Sequence, residues 1–361
     1  MGNWKPFVNV GVPTLLALMV VTTRPGAALE LHGFADVSYR QDLHNDADPN
    51  ADNGAFVIGP LDFYIAESIG PRVDVLAEFA IESGIVDLER LQIGYLFSDL
   101  LKAYVGRFHT SLGYWNTAYH HGAFLFTTIE RPVFLEWEDD EGILPTHSVG
   151  LLLTGRQFLR SGQLSYSAVV GNGSSVTVED GVYVLDPNTE TDPNRNKAVG
   201  LRAAFAPAGL PGWAVGASVF TNHVINTDSL PGPPLTLDVT QTIVGIDITQ
   251  TQAPWELLAE YFLLRDHDKV GAETATNHLY YIQVGREFRE LVTPYARHEQ
   301  MSLDENDPYL NALGAIDERI ETVGVRVRIG EQSALKFEGR FITDNGLDSH
   351  QEYGAQWAFA F

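Results

Sequence analysis

The sequence contains no cysteine, and this absence removes two kinds of architecture. Without thiols the chain can form neither a disulfide framework nor a thiolate metal site. Basic residues are also scarce, because 23 Lys and Arg stand against 47 Asp and Glu, and the formal net charge is −24. Such a chain has no excess of cations to neutralise phosphates, so nucleic acid is not an expected partner.

Long apolar runs are absent after Ala28. Before that point, Lys5 is followed by an apolar stretch over 7–21 and by small residues up to Ala28. The stretch is short for a membrane helix, which needs about 20 residues. We therefore interpret residues 1–28 as a cleaved signal peptide rather than an uncleaved anchor. The mature domain then covers 29–361, and export without cysteine fits the periplasm or outer membrane of a Gram-negative bacterium.

Helical periodicity is also scarce, and alternation with period two takes its place. Leu335, Phe337 and Phe341, for example, alternate with charged residues, as expected for a strand with one apolar face. Most such segments have 10 to 12 residues, whereas globular strands typically have about 5–6, and about ten tilted residues cross a bilayer. We predict sixteen strands, at 30-40, 55-69, 72-82, 88-97, 101-110, 146-155, 162-171, 197-206, 213-223, 238-249, 255-265, 277-287, 291-301, 318-329, 334-343 and 351-361.

The connections between these segments alternate between short and long. Short turns on one side and long loops on the other are typical of an outer-membrane barrel, whereas a soluble sandwich shows no such parity. Lipid offers no hydrogen-bond partner to a free sheet edge, so the sheet must close on itself. The sequence therefore predicts an all-β fold, a transmembrane antiparallel up-and-down β-barrel in which 351–361 pairs with 30–40.

If the apolar set faces lipid, the alternate set lines a channel. Sixteen strands leave an aqueous interior, and a dry barrel could not bury so many charges. The orientation of 101–109 is ambiguous, because either Tyr104 and Phe108 face lipid and Arg107 the pore, or the reverse. We expect Arg107 in the pore, since an arginine on the lipid face is costly.

The connection 109–147 is too long and too apolar for a free external excursion. A loop of this length that carries its own aromatic residues usually packs against another part of the protein. It also contains an acidic run, formed by Glu136, Glu138, Asp139, Asp140 and Glu141. The alternative interpretation of that run is a solvated external loop tip.

The chain resembles the sixteen-stranded bacterial general porins. The resemblance rests on the strand number, the long connection after the fifth strand, the signal peptide and the final segment QEYGAQWAFAF, which ends in Phe361. The stretches 105–113 and 130–132 also resemble phosphate-selective porins loosely, but those channels carry many more basic residues. The general porins imply a non-enzymatic outer-membrane channel for passive diffusion of ions and small hydrophilic solutes.

Further expectations follow from the resemblance. The third external loop, 109–147, would fold into the lumen and narrow it, and three chains would form a homotrimer in the lipid bilayer beneath the outer-leaflet lipopolysaccharide. Phe361 would be the signal read by the barrel-assembly machinery. The acidic run would face basic wall residues across the constriction, and our candidates for these are Arg90, Arg107, Arg297, Arg326, Arg328 and Arg340. Since acidic residues predominate, we expect a mild cation preference.

Two other functions stay open from the sequence. In a substrate-selective channel for a sugar, peptide or anion, Tyr114, Trp115, Tyr119 and Trp137 would form a stacking surface for the solute. A barrel enzyme or a scaffold that threads a partner protein is the other alternative. Saturable block of conductance by a solute would identify the first of these, and a hydrolytic assay would reveal the enzyme.

No cofactor is expected. Asp46, Asp48, Asn50 and Asp52 are spaced like calcium ligands, but Ala51 stands where an EF-hand loop needs Gly, so a polar external loop is the favoured interpretation. Adjacent histidines at 120 and 121 point apart, and no carboxylate spacing fixes a metal geometry around them. We therefore predict no metal site.

Overall fold

The computed structural model describes residues 31–43, 54–82, 84–119, 122–136, 142–179, 181–188, 191–193, 195–232, 234–344 and 349–361. Several predictions lie outside these residues: the signal peptide, the possible calcium ligands at Asp46, Asp48, Asn50 and Asp52, and the loop residues Trp137, Glu138, Asp139, Asp140 and Glu141. Among the residues that are described, no helix is long and apolar enough to cross a membrane.

Strands make up almost all of the regular structure. They are β1 (Leu31–Leu43), β2 (Ala55–Ile58), β3 (Leu61–Ser68), β4 (Val73–Glu82), β5 (Ile85–Ser98), β6 (Leu101–His109), β7 (His147–Leu159), β8 (Gly162–Asn172), β9 (Ser175–Glu179), β10 (Val182–Asp186), β11 (Lys197–Pro207), β12 (Trp213–Ile225), β13 (Asp238–Gln250), β14 (Trp255–Asp268), β15 (Thr274–Arg286), β16 (Val292–Ser302), β17 (Glu318–Arg328), β18 (Ser333–Asp344) and β19 (His350–Ala360). The short helices are α1 (Trp115–Ala118) and α2 (Pro308–Ala312), with a 3-10 turn at Val133–Leu135.

Strands β2 and β3 are two parts of one wall strand, because both pair with β1. The interruption falls at Gly59 and Pro60. The amide of Gly59 donates to the carbonyl of Asp36 at 3.0 Å, and a Cβ on Gly59 would lie 2.3 Å from the Asp36 carboxylate. Proline has no amide hydrogen to continue the ladder. The wall therefore has sixteen antiparallel strands.

The wall closes where β1 meets β19. Their register runs from Phe34 opposite Ala360 to Leu43 opposite Gln351. Gly33 and Phe361 extend this seam by exchanging two backbone hydrogen bonds, of 2.9 and 3.0 Å. Every other wall strand pairs with its neighbours in sequence. The prediction of an all-β, closed, sixteen-stranded antiparallel barrel is confirmed.

The two faces of the wall are inverted relative to a soluble protein. On β19, Trp357 is 54% exposed, whereas the adjacent Gln356 is 3% exposed. The same alternation recurs around the wall, with aliphatic and aromatic side chains on the exposed face and charged or amide side chains on the buried face. Exposed apolar area on this scale marks a surface made for an apolar environment. We call these the apolar face and the polar face.

Strand β6 is oriented opposite to the expectation. Phe108 is buried against Leu152 and Val169 on the polar face, together with Tyr104. Arg107 instead pairs with Leu91, which is 47% exposed on the apolar face. The guanidinium of Arg107 is nevertheless satisfied, because it donates to the carbonyl of Glu89 at 2.9 Å and contacts the imidazole of His147 at 3.2 Å. Its position at the end of the strand makes these partners available.

The connection between β8 and β11 contains a hairpin that was not predicted. Strands β9 and β10 pair with each other and form a separate two-stranded sheet. Val176, Val184 and Leu185 of this hairpin are buried. Each of these two strands has only five residues, and periodicity in so short a segment does not distinguish a strand from a loop.

Candidate functional site

The connection between β6 and β7 is held together at its base. The amide of Thr110 donates to the carbonyl of Thr146 at 2.9 Å, and the hydroxyls of Thr110 and Ser148 form a hydrogen bond of 2.7 Å. The side-chain amide of Asn116 donates to the carbonyls of both Thr110 and Thr146, each at 2.9 Å. The two ends of a long loop are thus fixed together. We call residues 110–146 the long loop.

Aromatic residues of the long loop pack on one part of the wall. The ring of Trp115 lies 5.4 Å from that of Phe126 and 5.9 Å from that of Tyr281. Phe134 lies 5.9 Å from Phe262 on β14. All five rings belong to one buried hydrophobic cluster. Two of these three contacts are T-shaped, a geometry that aromatic pairs favour.

Glu260, on the polar face of β14, binds the first turn of the loop. Its carboxylate accepts hydrogen bonds from the amides of Tyr114 at 2.6 Å and Trp115 at 2.8 Å, and a third from the hydroxyl of Tyr281 at 2.8 Å. Glu260 is 2% exposed. A buried carboxylate with three donors replaces its hydration with fixed partners, which is what its burial requires.

Two more wall carboxylates hold the second half of the loop. Glu338 on β18 accepts from the amide of Ile129 at 2.8 Å and from the hydroxyl of Tyr295 at 2.7 Å. Glu299 on β16 accepts from the amide of Val133 at 2.8 Å. These bonds fasten the loop backbone along the wall at points far apart in the chain.

Arg297 fixes the loop from the same wall. It is 2% exposed, pairs with Glu299 at 2.7 Å, and donates to the hydroxyl of Thr128 and to the carbonyls of Glu130 and Arg131 at 2.9–3.1 Å. Its planar group with five donors suits several oxygens at once. Arg297 was predicted to face the acidic run across the constriction. Its donors bind the backbone and a hydroxyl of the loop, and four of the five residues of that run lie outside the described part of the chain.

Lys336 and Arg326 bind the part of the loop between these anchors. The ammonium of Lys336 donates to the carbonyls of Ala123 and Thr128, and that of Thr128 lies at 2.6 Å. The guanidinium of Arg326 donates to the carbonyl of Phe124 at 2.9 Å and stacks on the ring of Phe124. Both cations thus serve as donors to loop carbonyls.

The remaining basic candidates pair with carboxylates of neighbouring strands. Arg90 pairs with Glu78, Arg340 with Glu352, and Arg328 with Glu287. Arg328 is the most open of them, with 41% of its side chain exposed. The six predicted basic residues thus lie in two groups, two on β5 and β6 and four on β16, β17 and β18.

The predicted stacking aromatics have different environments. Trp115 is 1% exposed and offers no face to a solute. Tyr114 and Tyr119 are partly buried and contact each other edge to face at 5.6 Å. Burial raises the pKa of both phenols, so both are neutral hydrogen-bonding groups at physiological pH.

An acidic cavity of about 560 Å³ lies beside the loop at the closing seam. Six carboxylates and two arginines line it, namely Asp42, Glu130, Glu136, Glu318, Glu338, Glu352, Arg40 and Arg340. Glu136 is the one residue of the acidic run that the structure describes, and burial raises its pKa to about 8, although Arg131 opposes the rise. The predicted constriction residue therefore lies in an acidic environment.

A second, basic cavity of about 690 Å³ lies against the opposite strands. Four cations and one carboxylate line it, namely Arg90, Lys102, Arg156, Arg202 and Asp99, together with the rings of Tyr104 and Phe108. Ser111 and Thr117 of the long loop form its other side. Residues of the long loop thus line two cavities of opposite charge.

The anchoring roles of Glu260, Glu299, Glu338 and Lys336 were missed by sequence reasoning. Alternation in their strands predicts that these four side chains lie on the polar face, and all four are buried there. Their partners in the loop are backbone groups 145 to 213 residues away in the chain, and no local pattern identifies such a pair.

Comparisons with known proteins agree with the architecture. No family model and no curated protein sequence matches the chain. Solved structures do match: a loop L8 deletion mutant of OmpT from Vibrio cholerae (TM-score 0.63, 12% identity, 92% of this chain and 99% of that chain), an anion-selective porin from Comamonas acidovorans (0.63, 11%, 92% and 99%) and OmpF of Salmonella typhi in complex with daunomycin (0.62, 14%, 92% and 97%). The chain has the fold of the bacterial outer-membrane porins.

Proposed function

We propose that the protein is an outer-membrane porin that forms a water-filled channel for passive diffusion of ions and small hydrophilic solutes. The observation that carries this proposal is a closed sixteen-stranded wall with an apolar face outside and a charged face on which a long loop is fastened. The apolar face suits lipid, and the charged face requires water or polar partners. No chemical step is needed for this role, so a non-enzymatic protein is part of the proposal.

The long loop is proposed to lie inside the barrel and to narrow it. The loop contacts the polar face of β14, β16, β17 and β18 through hydrogen bonds, and it reaches β1, where Arg40 pairs with Glu130 at 3.0 Å and Gly122 packs on the ring of Phe34. A segment that touches one face of so many strands of a closed wall has little room except within it.

A mild cation preference is the proposed selectivity. The acidic cavity holds three times as many carboxylates as arginines, and charge at a narrow point sets the selectivity of a channel. Reversal potentials in planar bilayers under a salt gradient test this, and we expect a positive-ion preference. It should decrease when Glu138, Asp139 and Asp140 of the acidic run become Gln, Asn and Asn. Anion preference of the unmodified channel would overturn the proposal.

Outer-membrane location, homotrimer formation, contact with lipopolysaccharide and recognition of Phe361 by the barrel-assembly machinery belong to the same proposal. One of the matched structures is a trimer form of OmpT from Vibrio cholerae. Chemical cross-linking in isolated outer membranes would test the trimer. A chain that lacks Phe361 should reach the outer membrane in reduced yield, and an unchanged yield would contradict its role as a signal.

The basic cavity favours a second candidate function, a channel selective for an anionic solute. Arg90, Lys102 and Arg202 lie beside the rings of Tyr104 and Phe108, so the cavity offers charge and an apolar surface together. Saturable block of single-channel current by a phosphorylated or carboxylated sugar would support this candidate, and current that falls in proportion to viscosity alone would support simple diffusion.

A further inference from the structure

Three side chains with metal-binding atoms meet at the closing seam, on the side of the long connections. They are Asp42 on β1 and His350 and Glu352 on β19, and one ligand atom of each lies within 4.8 Å of the others. Asp42 and Glu352 are directly opposed in the register of the seam. His350 precedes Glu352 by two residues and therefore points to the same face of its strand.

The geometry around Glu352 leaves one of its oxygens directed at the imidazole. Arg340 pairs with Oε2 of Glu352, while Oε1 lies 3.7 Å from Nε2 of His350. A carboxylate that is held on one side by an arginine has a fixed orientation, and such outer partners commonly orient metal ligands.

Asp344 is an independent sign that a cation belongs here. Its side chain is 7% exposed, its Oδ2 lies 4.0 Å from Nδ1 of His350, and its buried Oδ1 has no hydrogen-bond partner. Glu318 lies directly opposite Asp344 on β17, which adds another carboxylate to the same place. Leaving a buried carboxylate oxygen unpaired is costly, and a bound cation would remove that cost.

We propose that Asp42, His350 and Glu352, supported by Asp344, form a site for a divalent transition-metal ion such as Zn²⁺. An imidazole among carboxylates suits zinc better than calcium or magnesium, which prefer oxygen ligands alone. Ligands of a tetrahedral zinc ion stand roughly 3.3 Å apart, so the site requires only a small inward movement of side chains that already face one another. The ion would join the first wall strand to the last.

Zinc binding by the chain folded in detergent, free of lipopolysaccharide, tests the proposal. Isothermal titration with ZnCl₂ should show one equivalent bound, and hydrogen exchange should slow at 41–43 and 350–352. His350→Ala should weaken binding by at least about tenfold, and so should the milder Asp42→Asn. Heat-modifiable mobility in gel electrophoresis reports that each variant is folded.

A matched control exists on the same side of the barrel. His223 pairs with Asp238 at 2.7 Å, but Lys269 occupies the place of a third ligand, at 3.4 Å from the same carboxylate. His223→Ala should leave zinc binding unchanged. The proposal fails if His350→Ala binds zinc as tightly as the unmodified chain or if His223→Ala is the variant that loses zinc. It also fails if Ca²⁺ at the same concentration displaces Zn²⁺ from the site.

Discussion

Two parts of the same wall use their charges in different ways. On β14 to β18, several charged side chains bind the long loop, among them Glu260, Arg297 and Lys336. On β4 to β13, they pair with charges on neighbouring strands, as Arg202 does with Asp247 and Lys102 with Asp74. Both parts have the same alternation in sequence. The difference shows that a charged inner face can either hold a loop or neutralise itself, depending on what covers it.

Replacing Arg297, which makes the most hydrogen bonds to the long loop, should have the largest effect on the position of that loop. Arg297→Met removes three donors to the loop and leaves the buried Glu299 carboxylate without its partner. Loss of one member of a buried pair costs about 3–5 kcal/mol. We expect the loop to be cleaved by protease in the folded barrel and single-channel conductance to rise.

The matched variant is Arg202→Met, which breaks a similarly buried pair with Asp247; among the described residues, the hydrogen bonds of Arg202 go to Asp247 and not to the loop. It should lower stability without exposing the loop to protease. Equal protease resistance in both variants would mean that Arg297 does not hold the loop.

Glu260→Gln should loosen the first turn of the loop to a smaller extent. The amide oxygen can still accept a hydrogen bond, but the charge-assisted bonds from Tyr114, Trp115 and Tyr281 weaken. Hydrogen bonds to charged groups contribute about 1.5–3 kcal/mol each. Current noise and loop hydrogen exchange should both increase, whereas Asp247→Asn should change neither.

The pKa of Glu136 makes the acidic cavity sensitive to pH. Burial raises this pKa to about 8, above its ordinary value, so the stabilisation that comes from the neutral carboxyl is complete below the ordinary value and is lost as pH rises through about 8. Cation preference in bilayers should therefore increase between pH 7 and 9. Glu136→Gln should show no such increase, and Glu130→Gln, whose carboxylate pairs with Arg40, should retain it.

Removing a cation from the basic cavity should have the smallest effect, and this effect should be on ion preference. Arg156 is exposed there, and charges in contact with salt solution are screened over about 10 Å at 0.1 M. Arg156→Gln should raise cation preference slightly at low salt and not at 1 M salt. An effect that persists at high salt would place Arg156 at a dry constriction.

The sequence allowed the wall to be predicted in detail, because alternation is a local property of each strand. All sixteen predicted segments overlap wall strands, and residues such as Phe337 and Phe341 lie on the exposed apolar face as expected. The predicted orientation of strand β6 is wrong because Arg107 on the apolar face has partners for its donors. Glu89 and His147 lie within reach at the end of that strand, and no local pattern in the sequence indicates this.

The long loop was predicted as a feature, but its attachment was not. Its aromatic residues indicated that it packs against something, and Phe134 does pack on the wall at Phe262. That Arg297 donates to Glu130 and Arg131 depends on the three-dimensional arrangement of groups about 166 residues apart. The acidic composition gave no reason to assign these cations to backbone carbonyls rather than to carboxylates.

The seam between β1 and β19 has a consequence for the order in which the strands of the barrel can pair. Its partners stand at opposite ends of the sequence, so β1 emerges first and has no partner on that side until the last segment arrives. During this interval β1 carries an open edge, which is a template for pairing with other chains. The ring of Phe361 covers Gly33, where a Cβ would lie 2.5 Å from it. Pairing of β1 with another chain is thus a risk that ends only when β19 closes the seam.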